Sequence, residues 1–262
     1  MTTVRVRREP PAFRRAEVVR REERSPRMVR VTLRGPQLAG LELGLPAGSV
    51  RLLLPPPGAT EVVLPSWNGN EFRDADGGRP VIRTLTPLRL DTDALELDVE
   101  IVRHGHGPLS EWAGAAGPGA AVAVSGTGRG YEIDATAPQF LLAGDESALP
   151  AIATLLPALP AGAPVDVVVE IAAASGRVAL PSRPGLSVHW CELDAGARPG
   201  DALVRWVTSA RLPVAARVWA AGEAAAMQRI RRHLFDEVGL PRSKAVVRGY
   251  WKHGRAGDPG TE

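Results

Sequence analysis

From Phe140 the chain reads Phe-Leu-Leu-Ala-Gly-Asp-Glu-Ser-Ala-Leu-Pro-Ala-Ile152, an apolar run that stops at a glycine and two acids and restarts at once as an apolar helical pattern. Physically this is a buried strand, a tight turn and a helix N-terminus. Such a junction belongs to an α/β sheet, where the first helical N–H groups face an anionic or polar ligand at the carboxyl end of a strand. A strand buried on both faces needs covered neighbours, so this one segment predicts a parallel sheet for its half of the chain.

The rest of the second half agrees with that demand. Phe140–Ala143, Val165–Ile171, Ser187–Cys191 and Val214–Ala220 are short apolar runs of strand length, and helical patterns follow at Ala148–Leu156, Ala202–Ser209 and Ala224–Val238. Alternation of strand and helix predicts a parallel sheet with helices on its faces. The first half reads differently. Met28–Arg34, Ser49–Leu54 and Ala120–Val124 are strand-like, and Leu95–Val102 alternates apolar and acidic residues, the period of a half-buried strand. Pro and Gly clusters at 55–58, 76–80 and 117–119 mark turns, and one helix is expected near Leu109–Ala116. Short strands with one embedded helix predict a small antiparallel barrel. The expected organisation is therefore a β-barrel domain over 13–136 and an α/β domain over 139–254, with Asp134–Gln139 as linker and flexible tails at 1–12 and 255–262.

Composition narrows the classes. Of 262 residues 44% are hydrophobic and 23% charged, a globular balance that excludes a disordered chain. The formal charge is only +3, so no overall field for a polyanion exists. Basic residues do crowd near the start, at Arg5, Arg7, Arg8, Arg14, Arg15, Arg20 and Arg21. Without interleaved aromatics this reads as a solvated tail and a charged edge strand rather than a nucleic-acid or membrane attachment. Cys191 is the single cysteine, read as an inert core residue, and it leaves neither a disulfide nor a cysteine-built metal site. No apolar run reaches the roughly 20 residues of a membrane span and no secretory h-region is present, so a cytoplasmic protein without membrane insertion is expected.

Three further segments carry chemistry. Arg83-Thr-Leu-Thr-Pro87 places a cation and two hydroxyls in a strand-like stretch; a lone arginine there could equally be a salt-bridge partner. In Val102-Arg-His-Gly-His-Gly-Pro-Leu-Ser110, Gly105, Gly107 and Pro108 make a tight turn into a helix whose first N–H groups, with Ser110, can hold a pyrophosphate. Its two histidines, His104 and His106, could also mark a solvated loop or a metal site, but acids and cysteines at ligand spacing are missing. Gly126-Thr-Gly-Arg-Gly130 is glycine-rich yet lacks the strand–helix context of a dinucleotide fingerprint.

Together these segments resemble the siderophore-interacting proteins, flavin-dependent ferric-siderophore reductases within the ferredoxin-reductase-like group. The segment at 141–152 resembles that family's AGDETALPAI signature, 83–86 its R-x-Y-T/S flavin motif, 100–113 its D-F-V-x-H-G-x-x-G-P-A-S-x-W-A pattern, 219–223 its W-x-A-G-E, and 250–254 its Y-W-x-x-G. The resemblance implies a flavin-binding antiparallel barrel followed by a nucleotide-binding α/β domain. It implies FAD contacts from Arg83, Thr84, Leu85, Thr86, Val102, His104, Gly107, Pro108, Leu109, Ser110, Asp145, Glu146, Ser147, Ala148 and Trp251. Gly222 and Glu223 would lie at the nicotinamide approach, with NADPH or NADH as donor. Arg51, Arg129, Arg248 and Lys252 would meet an anionic ferric siderophore. The family's flavin-packing tyrosine is Leu85 here, which can cover a ring by dispersion but offers no π-stacking and no hydroxyl. The implied activity is FAD-dependent reduction of ferric siderophore by a monomer or weak dimer. The alternatives are another flavin-dependent NAD(P)H oxidoreductase on the same scaffold, or a siderophore-binding protein that has lost flavin.

Overall fold

The computed structural model describes residues 11–105, 107–213 and 215–254. Arg5, Arg7, Arg8, His106, Val214 and the tail from 255 onward lie outside the described residues. The chain divides into two compact units, one comprising Met1–Glu23 and Val29–Gly130, the other Arg24–Met28 and Tyr131–Glu262.

The first unit is built from β1 (Phe13–Ser25), β2 (Met28–Arg34), β3 (Val50–Leu53), β4 (Ser66–Trp67), β5 (Phe72–Arg73), β6 (Ile82–Leu85), β7 (Pro87–Asp91), β8 (Glu96–Val102), helix α1 (Pro108–Ala115) and β9 (Ala121–Thr127). Seven strands form one sheet in the order β6-β3-β9-β1-β2-β8-β7, antiparallel at β1/β9, β3/β9, β3/β6 and β7/β8. It wraps, beside a smaller cluster of Phe13, Leu53, Val62 and Ala123, one main core. Val18, Val31, Leu33, Leu52, Leu97, Val99 and Val124 are fully buried in it, and Leu85, Leu90 and Trp112 pack against it.

Two sequence expectations fail here for one physical reason. The alternation in β8 was read as a half-buried strand, yet Glu96, Asp98 and Glu100 are nearly as buried as Leu97, Val99 and Ile101 between them. The stems of neighbouring arginines cover the acidic face. Arg30 Nη2 reaches Glu100 at 2.8 Å, Arg34 Nε reaches Glu96 at 3.1 Å, and Arg89 Nε reaches Asp98 at 3.1 Å, while the Thr32 hydroxyl donates to Asp98 at 2.7 Å. Likewise β1 is the middle strand of seven rather than a charged edge. Its arginines act within the fold: Arg14 donates to the carbonyls of Gln37 and Ala39, Arg15 to Val62, and Arg21 to Ala113. Periodicity separates charged from apolar faces but cannot tell a charged face met by water from one met by opposite charge.

The second unit holds β10 (Phe140–Asp145), α2 (Leu149–Leu155), β11 (Val165–Ile171), β12 (Leu186–Glu192), α3 (Asp201–Ser209), β13 (Arg217–Glu223), α4 (Ala224–Arg232) and β14 (Ala245–Trp251). All five strands are parallel, ordered β12-β11-β10-β13-β14. The chain thus runs outward from β10 through β11 to β12, then returns to the other side of β10 for β13 and β14. That reversal makes the carboxyl end of β10, beside β13, the point where such sheets open a crevice for ligands. Leu141, Ala143, Val168, Val218 and Ala220 pack under α3 and α4 through Leu203, Val207, Met227 and Ile230. Cys191 is half-buried against this core near the sheet edge, so it is less enclosed than expected. The long helix expected to Val238 stops being α-helical at Arg232 and continues as a π-helical turn over His233–Glu237.

Candidate functional site

In the first unit, Arg83 stands in the middle of β6. Its register partner is Leu52, and Leu85 pairs with Val50, whereas Thr84 pairs with Arg51. Directly paired residues share a face of the sheet, so Arg83 and Leu85 project on the core side while Thr84 and Arg51 project on the other. Arg83 is half-buried, with Nη1 donating to the Ile82 carbonyl at 2.8 Å; Thr84 is exposed and Thr86 buried. Leu85 packs against the core edge, which gives its side chain an apolar seat.

The loop from Val102 into α1 is organised by Ser110, whose oxygen accepts the backbone N–H of His104 at 3.1 Å and of Gly105 at 3.2 Å. With both lone pairs so used, the hydroxyl proton is what Ser110 can offer to a ligand. Gly107 holds the left-handed φ of 84° that turns the chain into the helix, and Pro108 opens it without needing an N–H partner. No side chain caps this N-terminus, although Glu111 accepts the Gly107 N–H at 3.1 Å. A guanidinium, a serine hydroxyl and a helix start with no side-chain cap supply donors of the kind that an anionic cofactor phosphate requires, with the Glu111 carboxylate in the same first turn. The residues present therefore fit FAD.

The Gly126–Gly130 segment is glycine-rich for packing. A Cβ on Gly126 would lie 2.4 Å from the Pro11 ring, on Gly128 2.3 Å from Ser49 Oγ, and on Gly130 2.5 Å from Leu45. Gly128 N–H donates to the Ser49 carbonyl, which sets exposed Arg129 beside the start of β3, where half-buried Arg51 lies across from Ser125.

In the second unit the acids of the 144–147 turn are directed into the fold. Asp145 is buried. Its Oδ1 accepts both the N–H and the hydroxyl of Ser147, and its Oδ2 accepts the Glu223 N–H at 2.9 Å and the Trp251 indole N–H at 2.8 Å. Burial pushes the carboxyl above its ordinary range, and these four donors pull the other way. Room for Oδ2 comes from Gly222, where a Cβ would stand 2.6 Å from it. The side chain missing at Gly222 thus leaves space that Asp145 uses. Glu146 is ion-paired with Arg27 at 2.8 Å and buried, Ser147 is spent on Asp145, and Ala148 is wholly enclosed. Trp251 is half-buried at the end of β14, while Lys252 is exposed and Arg248 half-buried.

Two more carboxylates complete this edge. Glu223 caps α4 through the Ala226 N–H at 2.9 Å and also accepts the His253 N–H at 3.2 Å. Glu170, register partner of Asp145, caps α3 by accepting Gly200 N–H at 2.6 Å and Leu203 N–H at 3.0 Å. Burial raises its pKa, opposed by those bonds. Neither Glu170 nor Arg27 was singled out from the sequence. An acid closing the run Val167-Val-Val-Glu170 is the signal that could have found the first, since such a charge must be partnered. Arg27 had none.

Comparison with known proteins places these parts in one family. The siderophore-interacting FAD-binding domain family matches residues 17–130, and the siderophore-interacting protein family matches 137–254. A siderophore utilization protein from T. fusca superposes with TM-score 0.83 at 35% identity, covering 95% of each chain. The ferric vibriobactin reductase of Vibrio cholerae is 27% identical over 244 residues, 91% of this chain and 89% of that one. Phthalate dioxygenase reductase, at 18% identity and TM-score 0.59 over 92% of this chain and 68% of its own, shares the fold. A flavin-binding antiparallel sheet followed by a five-stranded parallel sheet, on this match, makes the chain a member of the siderophore-interacting protein family, with a ferredoxin-reductase-like fold.

Proposed function

We propose that this chain holds FAD on its first unit and uses it to reduce a ferric siderophore with electrons from NADPH or NADH. The observation that carries the reading is the supply of donors from Arg83, Ser110 and the start of α1, which has no side-chain cap, on a chain matched by the FAD-binding domain family. Bound flavin accepts a hydride and passes on single electrons, which no side chain does. The chain's own residues bind and orient: Arg83 and the α1 N–H groups neutralise cofactor phosphate, Thr84 and Thr86 offer hydroxyls, and Leu85, Val102, His104, Gly107, Pro108 and Leu109 shape the ring and ribityl surroundings. Trp251, its N–H fixed by Asp145, is the proposed aromatic partner for a planar ring. Gly222 and Glu223 remain the proposed approach for nicotinamide.

Arg51 and Arg129, with Arg248 and Lys252, supply positive charge for an anionic iron complex. Reduction releases the metal because hard oxygen donors hold ferric iron far more tightly than ferrous. No general acid is needed. The test is purification followed by anaerobic assay: a yellow protein that reduces ferric siderophore with NADPH or NADH supports the reading. A colourless protein that cannot be reconstituted with FAD would favour siderophore binding alone, and a yellow protein inert toward every ferric siderophore would point to another flavin oxidoreductase.

A further inference from the structure

The carboxyl edge of the parallel sheet is where dinucleotide-binding folds grip a diphosphate, using free N–H groups of helix N-termini. Here that edge is occupied by the chain's own carboxylates. Asp145 reaches from β10 across to β13 and takes Ser147 N–H and Glu223 N–H, Glu223 takes Ala226 N–H at the start of α4, and Glu170 takes Gly200 and Leu203 N–H at the start of α3. All three acids are buried, and the N–H groups they accept are ones that a phosphate at these helix starts would need. Gly222, a bare backbone position at the switch point, faces the Asp145 carboxylate, 2.6 Å from its would-be Cβ.

We propose that the second unit closes its switch-point crevice to phosphate, so that a reduced nicotinamide donor is recognised through its nicotinamide end and its adenosine diphosphate half contributes almost nothing. This rests on the hydride-donor reading above and adds a specificity to it. Asp145, Glu170 and Glu223 are the specificity-determining residues, acting by prior occupation of the N–H groups and by charge. The neighbouring cations do not reverse the sign: Arg27 pairs with Glu146 at 2.8 Å, Arg205 with Asp194 at 2.8 Å, and Arg229 with Asp201. Exposed Arg198 and Lys252 stay at the rim, and any grip by them is what a competition experiment detects. In the step itself the C4–H bond of the dihydronicotinamide breaks, its hydride carries two electrons to the flavin, and the donor leaves as the nicotinamide cation.

The experiment uses the FAD-loaded protein and follows anaerobic bleaching of flavin absorbance by NADH, NADPH and reduced nicotinamide mononucleotide, each with and without ADP-ribose. The expected result is a mononucleotide efficiency within about threefold of the dinucleotides and no slowing by millimolar ADP-ribose. A tenfold or greater advantage of NADH or NADPH, or competition by ADP-ribose, overturns the proposal. If no dihydronicotinamide bleaches the flavin, the hydride reading fails on its own. Calorimetry of ADP-ribose against the same protein then still decides: heat of binding overturns closure of the crevice, and its absence supports it.

Discussion

The indole N–H of Trp251 donates to Oδ2 of Asp145 at 2.8 Å, although 106 residues separate them and β13 lies between their strands. One carboxylate therefore ties together the ends of β10, β13 and β14. Replacing Trp251 with Phe keeps an aromatic ring and removes the donor, leaving Oδ2 with the Glu223 N–H alone. The expected cost is about 1.5–3 kcal/mol, the range for a hydrogen bond to a charged group. Urea unfolding of Trp251→Phe beside the parent reads it directly; equal midpoints would show that the bond contributes nothing.

Gly222 and Asp145 form a second testable pair. Gly222→Ala drives a methyl against the carboxylate and is expected to destabilise by about 1–3 kcal/mol, in the range of overpacking. In an Asp145→Gly background the obstruction is gone, so most of that cost should disappear. A double-mutant cycle with a coupling of at least about 1 kcal/mol is the expected outcome. Strict additivity would mean that Gly222 serves its backbone conformation and not the carboxylate.

What was legible in the sequence follows the same division. The βα alternation, the strand at Phe140 and the turn after it can be read because a parallel sheet buried on both faces leaves unbroken runs of Val, Leu and Ala. The motif positions of Arg83, Ser110 and Asp145 were legible as well. The destination of their side chains was not. Whether a charge meets solvent, a ligand or a partner depends on residues far away in sequence: Asp145 is completed by Glu223 and Trp251, Glu146 by Arg27, and the acids of β8 by arginines of β2 and β7. β1 reads as a charged edge because arginines and glutamates fill it, and β14 passes unread as a strand because it looks like a terminal aromatic signature.

Glu170 gives a pH prediction. Burial raises its folded-state pKa above the ordinary 4.5, so its contribution to stability is fully present below that value and is lost as pH rises through the folded pKa. Glu170→Gln removes this titration while keeping one oxygen for the cap. The cost of the substitution should therefore be largest near pH 4 and shrink as pH rises, by at most about 1.4 kcal/mol per pH unit. Asp134 has the opposite sign: hydrogen bonds from Thr136 and Arg217 hold it at about 2, so its contribution is lost only as pH falls toward that value. Stability measured for parent and Glu170→Gln from pH 4 to 8 checks this, and a cost that grows with pH would contradict it.

On the cofactor side, Arg83→Ala removes a charge-assisted phosphate contact of about 1.5–3 kcal/mol, which corresponds to roughly 10- to 150-fold weaker FAD binding. Flavin retained after gel filtration is the measurement, and equal occupancy excludes the role. Leu85→Tyr should restore stacking and tighten binding. Weaker binding in that variant would show that the seat against Leu85 has been shaped for leucine.

Substrate capture makes the last prediction. Arg51 projects from β3 on the face opposite Arg83, and Arg129 lies in the loop beside the start of that strand, so the two cations are candidates for the same anionic ligand. A local positive field raises both the affinity and the encounter rate of an anionic iron complex. Arg51→Glu and Arg129→Glu should each raise the apparent KM for a catecholate-type ferric complex. The effect should fade with added salt, because exposed charges are screened over about 8 Å at physiological ionic strength. Flavin content and bleaching by the nicotinamide donor should stay nearly constant, since neither arginine is assigned to those steps. If KM at low salt is unchanged in both variants, the two arginines only decorate the sheet, and the iron complex must be met by other residues, with Arg248 and Lys252 next to be replaced.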